Sequence, residues 1–265
     1  MKVVLFCGGL GTRLREYTGE IPKPMVKIGP RPILWHLMKY YAHFGHKDFV
    51  LCLGYKAEVI KQYFLNYEEW ISNDFTLVGG GKEVRLENSD IADWNITFVD
   101  TGLHANIGQR LVAARKHVAG EEMFLANYSD GLTDMDLPSM IESLRASDAV
   151  GSFLAVRPSQ SFHLVDLEPD GRHVRAIRPV RESNLLLNGG YFAFRSTIFD
   201  YIHEGDELVE APFVRLMSDH KLIAHRGERF WCMDTFKEQQ ELSDLYNSGS
   251  APWELWKLRQ GSARR

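Results

Sequence analysis

The stretch Val3-Val4-Leu5-Phe6-Cys7-Gly8-Gly9-Leu10-Gly11-Thr12-Arg13-Leu14 decides the fold of this chain. Its first residues form an apolar run that is typical of a buried strand. The glycines that follow let the backbone approach a bulky anion and leave N–H groups free to bind phosphate oxygens. Arg13, and Lys23 farther along, add positive charge beside these amides. We therefore predict a triphosphate site at the end of the first strand.

Two common phosphate-binding loops do not fit this stretch. A Rossmann G-x-G-x-x-G motif that starts at Gly9 requires a glycine at the position of Leu14. A P-loop ends in G-K-[ST], and this stretch has no such triplet. On the glycines alone, a tight turn that simply ends the strand is an equal alternative.

Size and composition indicate a globular protein with no general affinity for nucleic acid or membranes. The chain has 265 residues, 45% of them hydrophobic and 25% charged, and a formal net charge of −4. No apolar run is long enough to span a bilayer, and Met1–Val4 leads directly into the first strand. We expect no signal peptide and a cytoplasmic location. The isolated Cys7, Cys52 and Cys232 are expected to be reduced thiols.

Alternating segments predict the fold class. Residues 32–44 have helical apolar spacing, residues 49–53 resemble a buried strand, and residues 58–67 are helical again. This rhythm predicts an α/β fold with a Rossmann-like, mostly parallel sheet and helices on both faces. Ligands bind such sheets beyond the carboxyl ends of the strands, where the glycine loop (residues 8–13) lies. Residues 67–94 break the rhythm and are expected to be a surface elaboration or a subunit contact.

The second half of the chain has a different pattern. Short alternating runs around Asp170-Gly171 predict a hairpin and a small mixed β annex. We expect a single domain over residues 1–265. Its parts would be a mainly nucleotide-binding half (1–150), a mainly acceptor-binding half (151–235) and a C-terminal helix and tail (236–265).

Two aspartates are candidates for a cation site. Asp130 follows a core strand in a Ser-Asp-Gly turn, and Asp234 follows an apolar run just before a helix. Proteins hold nucleotide-bound Mg²⁺ with one or two carboxylates together with the phosphates. The alternatives are ordinary turn chemistry for Asp130 and an N-cap role for Asp234. With the glycine loop, the pair indicates Mg²⁺ at strand ends of one sheet.

Motifs along nearly the whole chain resemble those of the sugar-phosphate nucleotidyltransferases and, within them, the glucose-1-phosphate cytidylyltransferases. They include the glycine loop, Pro22-Lys23-Pro24-Met25, Trp35-His36, Val99-Asp100-Thr101-Gly102, Asp130-Gly131, Asn188-Gly189-Gly190, Met233-Asp234-Thr235 and Ala251-Pro252-Trp253. The resemblance implies Mg²⁺-dependent transfer of CMP from CTP to a sugar 1-phosphate, by default glucose 1-phosphate, with release of pyrophosphate. It also implies a homo-oligomer.

The resemblance implies roles for individual residues. Arg13 and Lys23 would be catalytic, and Asp130 and Asp234 would hold Mg²⁺. The residues implied to bind the nucleotide are Gly8, Gly9, Leu10, Gly11, Thr12, Thr101, Gly108, Arg110 and Ser129. Gln109 departs from the family pattern Gly-Gly-Arg-Leu.

The acceptor side departs from the family pattern. Pro179 or Val180 stands where the family carries the lysine of Glu-Lys-Pro, and His163 replaces a glycine of the sugar pocket. Arg178 or Arg181 would supply the missing charge, since an arginine fork binds a phosphate or phosphonate at two points. The alternative is that both are solvated. The candidate acceptor-binding residues are His163, Arg178, Arg181, Asn188 and Gly189.

Two other functions stay open at this point. One is cytidylyl transfer to a different phosphate or phosphonate acceptor, because the acceptor motifs are altered. The other is a non-catalytic relative that only binds a nucleotide.

Overall fold

The computed structural model describes residues 1–9, 19, 21–158 and 162–257. The predicted nucleotide-binding residues Leu10, Gly11 and Thr12 and the predicted catalytic Arg13 lie outside these ranges. The strands are β1 (Val3–Phe6), β2 (Lys27–Ile28), β3 (Arg31–Pro32), β4 (Asp48–Leu53), β5 (Phe75–Val78), β6 (Glu83–Leu86), β7 (Asn95–Asp100), β8 (Met123–Asn127), β9 (Gly131–Thr133), β10 (Gly151–Val156), β11 (His163–Leu167), β12 (Val174–Pro179), β13 (Leu187–Arg195), β14 (Leu222–Arg226) and β15 (Phe230–Cys232). The α-helices are α1 (Ile33–His43), α2 (Ala57–Leu65), α3 (Ile107–Ala114), α4 (Leu137–Arg145), α5 (Ala211–Ser218) and α6 (Phe236–Asn247).

Within the described residues, a seven-stranded sheet with the order β14-β10-β13-β8-β1-β4-β7 forms the centre of the fold. β1 is parallel to both of its neighbours, β4 and β8, and β7 is parallel to β4. β14 is parallel to β10. The exception is β13, which runs antiparallel to β8 and β10. The predicted mostly parallel sheet is confirmed.

Helices cover both faces of the sheet, as predicted. Val3 and Leu5 of β1 belong to a hydrophobic cluster with residues of α1, α2, α4 and α6. Val4 and Phe6 belong to a second cluster with residues of α3 and α5. Successive side chains of a strand point to opposite faces, so a strand covered on both faces is apolar throughout. This explains why the sequence opens on an uninterrupted apolar run.

Small antiparallel ladders surround this sheet. The described pairs are β2–β3, β5–β6, β9–β15 and β11–β12. β11 and β12 form the hairpin predicted around Asp170-Gly171, and β5 and β6 lie in the predicted elaboration at residues 67–94. The sequence therefore located the β annex, although a further ladder, β9–β15, proves to matter more for the candidate site.

Residues 67–94 are fastened to the core by a buried ion pair that the sequence pattern did not reveal. Arg31 and Asp90 are both buried, and their charged groups lie 3.7 Å apart. Asp90 also accepts hydrogen bonds from the Lys39 ammonium at 3.1 Å and the Tyr67 hydroxyl at 2.9 Å. The segment is thus a fixed part of the fold. Its role as a subunit contact stays a prediction.

Two further expectations concern the described ranges. No helix in them has the length and apolar character needed to cross a bilayer. Cys7, Cys52 and Cys232 are free thiols, as expected, and burial raises the pKa of each.

Candidate active site

The β9–β15 ladder brings the two candidate aspartates together. β9 begins directly after Asp130, and β15 ends shortly before Asp234. Cys232 pairs with Gly131, and the Met233 N–H donates to the Asp130 carbonyl at 2.9 Å. This ladder is separate from the central sheet. We expected both carboxylates at strand ends of one sheet. They do flank the strands of one sheet, but that sheet is the small β9–β15 ladder.

The Lys23 ammonium lies between the two carboxylates. Its Nζ donates to Asp130 Oδ2 at 2.6 Å and to Asp234 Oδ1 at 2.5 Å. Lys23 opens a 3₁₀ turn, Lys23–Met25, with Pro22 before it and Pro24 after it, and prolines restrain the backbone that carries the side chain. The Lys23 side chain is 13% exposed, so most of it is shielded from water. Three distant segments thus meet at one positive charge.

Burial and charge oppose each other in this cluster. Burial lowers the pKa of Lys23, but the attraction of Asp130 and Asp234 together outweighs it, and the pKa is raised. Burial raises the pKa of Asp130, and Lys23 reduces that effect. The Asp130 carboxylate therefore depends on a nearby cation to stay ionised.

The place between the carboxylates suits a cation. A positive charge already lies there, and carboxylate oxygens are ligands that Mg²⁺ prefers. In the described part of the chain, no group of three or more His, Cys, Asp or Glu could hold a metal ion. Mg²⁺ at this place would complete its shell with phosphate oxygens and water, as it commonly does. The residues present fit a nucleotide-bound ion better than a permanent structural one.

Ser129 ties the Asp130 turn to the end of β1. Its Oγ donates to the Phe6 carbonyl at 2.7 Å, and its N–H donates to Asn127 Oδ1 at 2.8 Å. Its φ of 65° lies in the left-handed region, which is unfavourable for serine and is maintained here by these bonds. The turn therefore has a defined shape that points Asp130 at Lys23.

Asp234 is not the N-cap of α6, which the sequence left as an alternative. The N-cap is Thr235, whose side chain accepts from the Glu238 N–H, while the Glu238 carboxylate accepts from the Thr235 N–H. Because Thr235 fills the capping position, the Asp234 carboxylate faces Lys23 instead.

A cavity of about 390 Å³ opens beside this cluster. The predicted residues that line it are Gly9, Lys23, Arg110, Ser129, Asp130 and Asp234. Among the described residues, Gly8, Thr101, Gly108 and the acceptor candidates are not part of this lining. Asn106, Tyr128 and Glu207 line it as well, and the sequence analysis did not single them out.

Arg110 fastens the carboxyl ends of three parallel strands beneath the cavity. Its guanidinium donates to the carbonyls of Leu53 and Gly102 at 3.2 and 3.1 Å, and to Thr101 Oγ1 at 2.6 Å. It also donates to the Gly8 carbonyl at 3.1 Å. A Cβ at Gly8 would lie 1.9 Å from an Arg110 nitrogen, so a larger residue there would displace the guanidinium from these contacts. These contacts are internal, and the nucleotide contacts of Gly8, Thr101 and Arg110 stay predictions.

Gln109, the departure from the family pattern, has a local structural role. Asn106 Oδ1 accepts from the Gln109 N–H at 2.9 Å, and Gln109 Oε1 accepts from the Asn106 N–H at 2.9 Å. This capping box starts α3 at Ile107. The Asn-x-x-Gln spacing was a readable signal for the helix start, and it places the first turn of α3 against the cavity.

The acceptor candidates lie in two places. Asn188 and Gly189 precede Gly190, whose carbonyl accepts from the Tyr128 N–H at 3.1 Å, so they lie near the cavity wall. Arg178 lies on the β11–β12 hairpin, 3.4 Å from the Asp166 carboxylate. His163, at the start of β11, and Arg181, just after β12, are both exposed. The structure does not bring Asn188 and Gly189 together with the residues of the β11–β12 region in one cavity wall. The roles of all these residues stay predictions.

Comparison with known proteins decides the family. The family model described as nucleotidyl transferase matches residues 2–231. The chain belongs to the nucleotidyl transferase family. Two relatives are the "Probable glucose-1-phosphate cytidylyltransferase" of Bacillus subtilis (strain 168) and the glucose-1-phosphate cytidylyltransferase of Salmonella typhi. Each is 36% identical over 259 residues, which cover 97% of this chain and 100% of the relative.

A solved structure supports the fold of this nucleotidyl transferase. HddC from Yersinia pseudotuberculosis complexed with GMP-PN has a TM-score of 0.64, with 92% of this chain and 99% of that chain covered. At 22% identity the likeness concerns the fold alone. The resemblance drawn from the motifs is confirmed by the relatives, and the chain is an enzyme. The non-catalytic alternative is therefore set aside.

Proposed function

We propose that this nucleotidyl transferase moves CMP from CTP to a sugar 1-phosphate, first of all glucose 1-phosphate, and releases pyrophosphate. The observation that carries the proposal is the convergence of Asp130 and Asp234 on one cation position beside a cavity at the end of β1. The names of the two relatives supply the nucleotide and the acceptor.

The charges of the cavity lining support a need for added cations. Lys23 and Arg110 are its described cations, and Asp130, Asp234 and Glu207 are its described carboxylates. A triphosphate entering this lining requires further positive charge, because like charges at short range repel strongly. Mg²⁺ held by Asp130 and Asp234 would supply that charge and shield the phosphate oxygens.

The proposed reaction needs no covalent enzyme intermediate. A phosphate oxygen of the acceptor attacks the α-phosphorus of CTP, and the bond from that phosphorus to the oxygen of the leaving pyrophosphate breaks. The nucleophile is already an anion at neutral pH, so no strong general base is required. The protein's task is to hold two polyanions in line and offset their repulsion. In this proposal Lys23 stabilises the charge on the α-phosphate.

A different phosphate or phosphonate acceptor is the second candidate. At the position of the family lysine this chain has Pro179 or Val180, and Val180 is buried and carries no charge. Arg178 already lies near Asp166. The exposed Arg181 is therefore our first candidate for binding the acceptor's anionic group.

A matrix of nucleotides and acceptors tests the proposal. The purified protein is incubated with Mg²⁺, one of CTP, UTP, GTP or ATP, and one sugar 1-phosphate or phosphonate, and pyrophosphate release is measured. We expect the highest kcat/KM with CTP and glucose 1-phosphate. Release with CTP and another acceptor would favour the second candidate. Release with another nucleotide and none with CTP would contradict cytidylyl transfer.

Arg181→Ala tests the acceptor assignment. We expect the KM of the acceptor to rise about tenfold, the usual effect of one charge-assisted hydrogen bond, while the KM of CTP stays the same. Arg175→Ala is the control, because Arg175 is also exposed and lies on β12, the strand before Arg181. Equal effects of the two substitutions would show that Arg181 is an ordinary solvated side chain and does not bind the acceptor.

A further inference from the structure

We propose that Glu207 is a specificity-determining residue whose carboxylate accepts a hydrogen bond from the nucleoside part of the substrate. The proposal rests on the proposed function, because it assumes that the cavity holds a nucleotide. The donor is a neutral N–H or O–H group, and both the amino group of cytosine and the ribose hydroxyls have this chemistry.

The Glu207 carboxylate lines the cavity at the first turn of α3. Its Oε2 accepts from the Ile107 N–H at 3.2 Å, and its Oε1 accepts from the Leu208 N–H at 3.1 Å. Carboxylate oxygens have lone pairs for more than one donor each, so further acceptor capacity remains. In the part of the chain that the structure describes, no salt bridge includes Glu207. The positive end of α3 partly offsets its charge.

This carboxylate decides which end of a nucleotide can face α3. A helix N-terminus at a cavity wall would ordinarily attract a phosphate. Here Glu207 already fills that place with negative charge, so a phosphate is repelled and a neutral hydrogen-bond donor is favoured. The triphosphate is therefore left to the Lys23 side of the cavity, and the nucleoside faces Glu207.

Tyr128 belongs to the same cavity wall as Glu207 and Asp130. It directly precedes the turn of Ser129 and Asp130, and it lines the same cavity. Its ring packs edge-on against Phe192, with the two ring centroids 5.2 Å apart. Tyr128 is thus a fixed part of the wall to which both carboxylates belong.

The loop that carries Glu207 is fixed against α3. Asn106 Nδ2 donates to the Gly205 carbonyl at 3.0 Å, and Arg215 of α5 donates to Asp206 Oδ2 at 2.5 Å. The Asp206 carbonyl comes so close to Gly108 that a Cβ there would lie 2.2 Å from it. A carboxylate held by such a loop is preorganised, and a fixed polar group discriminates strongly against a ligand that lacks its partner. Uracil presents a carbonyl oxygen where cytosine presents its amino group, and 2′-deoxyribose lacks one hydroxyl.

Binding calorimetry tests the proposal without relying on turnover. The dissociation constants of CTP, UTP and 2′-deoxy-CTP are measured with Mg²⁺ for the wild type, Glu207→Gln and Glu204→Gln. Glu204 is the control because it is exposed in the same loop and does not line the cavity. In Glu207→Gln we expect the preference of the wild type for CTP over UTP, or over 2′-deoxy-CTP, to fall about tenfold, because the neutral amide oxygen is a weaker acceptor than the carboxylate. Glu204→Gln should keep both preferences.

The arms of the experiment separate the outcomes. A reduced preference for CTP over UTP assigns the donor to the base, and a reduced preference over 2′-deoxy-CTP assigns it to the ribose. If both preferences are unchanged in a folded Glu207→Gln, the proposal is wrong. If that variant does not fold, Glu207→Asp, which keeps the charge but withdraws it by one methylene, should show the same loss. A wild type that binds CTP but releases no pyrophosphate contradicts only the proposed function, and one that does not bind CTP contradicts both.

Discussion

The Lys23 ammonium lies 2.6 Å from the Asp130 carboxylate and also bonds Asp234, so it occupies the position between the two acids. The ion pair joins a turn after β1 to the ends of the β9–β15 ladder. A metal ion held by the same two carboxylates has to compete with this ammonium. The affinity of the two carboxylates for a metal ion therefore depends on how readily the Lys23 ammonium leaves this position.

Lys23→Met should strengthen the binding of a divalent cation in the absence of nucleotide, by about tenfold, because a neutral side chain does not compete for the carboxylates. Calorimetric titration with Mn²⁺ alone measures this. Pyrophosphate release by the same variant should fall at least about a hundredfold, since the charge that stabilises the transferred group is gone. Lys27→Met is the control, because Lys27 is exposed. Unchanged Mn²⁺ affinity in a folded Lys23→Met would contradict the competition.

Asp130→Asn and Asp234→Asn should each abolish turnover while the fold persists. Each substitution leaves Lys23 bonded to the other carboxylate, so the fold should persist. Steady-state pyrophosphate release and thermal unfolding measure the two effects. Asp244→Asn, on the exposed side of α6, should behave like the wild type. A wild-type rate in Asp130→Asn would show that Asp130 does not hold the metal ion that the reaction needs.

Gly108→Ala should destabilise the protein by roughly 1–3 kcal/mol, the usual cost of overpacking. The new Cβ would lie 2.2 Å from the Asp206 carbonyl oxygen. This oxygen belongs to the backbone, so the clash cannot be relieved by rotating a side chain. The first turn of α3 should shift, and CTP should bind more weakly. Urea unfolding and calorimetry measure these effects, with Val112→Ala, at a 45% exposed position of the same helix, as the control. An unchanged free energy of unfolding would contradict this expectation and show that the loop carrying Asp206 moves away at little cost.

His36 should make stability depend on pH. Its Nε2 donates to the Ile28 carbonyl at 2.9 Å, whereas its buried Nδ1 has no partner among the described residues. Burial lowers the pKa of His36 to about 4. The unfolded chain, with a histidine pKa of about 6.5, binds the proton first. The free energy of unfolding should therefore fall by about 3 kcal/mol as the pH drops from about 6.5 to 4, and this contribution is complete above that range.

Urea unfolding at pH 7, 5.5 and 4 measures the effect of His36. His36→Phe should lose stability at pH 7 through altered packing but should show a flatter decline towards pH 4. His104→Gln, at an exposed position, should keep the wild-type decline. The same decline in His36→Phe and the wild type would assign the acid sensitivity to other groups.

Several elements could be predicted from the sequence because their patterns are local. The apolar spacing of α1 and the apolar run of β4 give these elements to within a residue or so, and the expected C-terminal helix is α6. The direction of β13 could not be predicted, since no local pattern states whether a strand runs parallel or antiparallel to its neighbour.

The sequence predicts which residues form the candidate site, but it does not predict their positions relative to one another. Lys23, Asp130 and Asp234 belong to motifs, whereas the position of the lysine between the acids depends on the β9–β15 register. Glu207 belongs to no motif, because a loop carboxylate acquires its place only from the packing of its loop on α3. The division into nucleotide and acceptor halves, the cytoplasmic location and the homo-oligomer stay predictions.

The most direct test of the central claim is anomalous scattering from crystals grown with Mn²⁺ and CTP. We expect one strong manganese peak bonded to both Asp130 and Asp234, with the triphosphate beside it and the Lys23 ammonium displaced from between them. A manganese peak elsewhere, with Lys23 still bridging the two carboxylates while CTP is bound, would contradict the account.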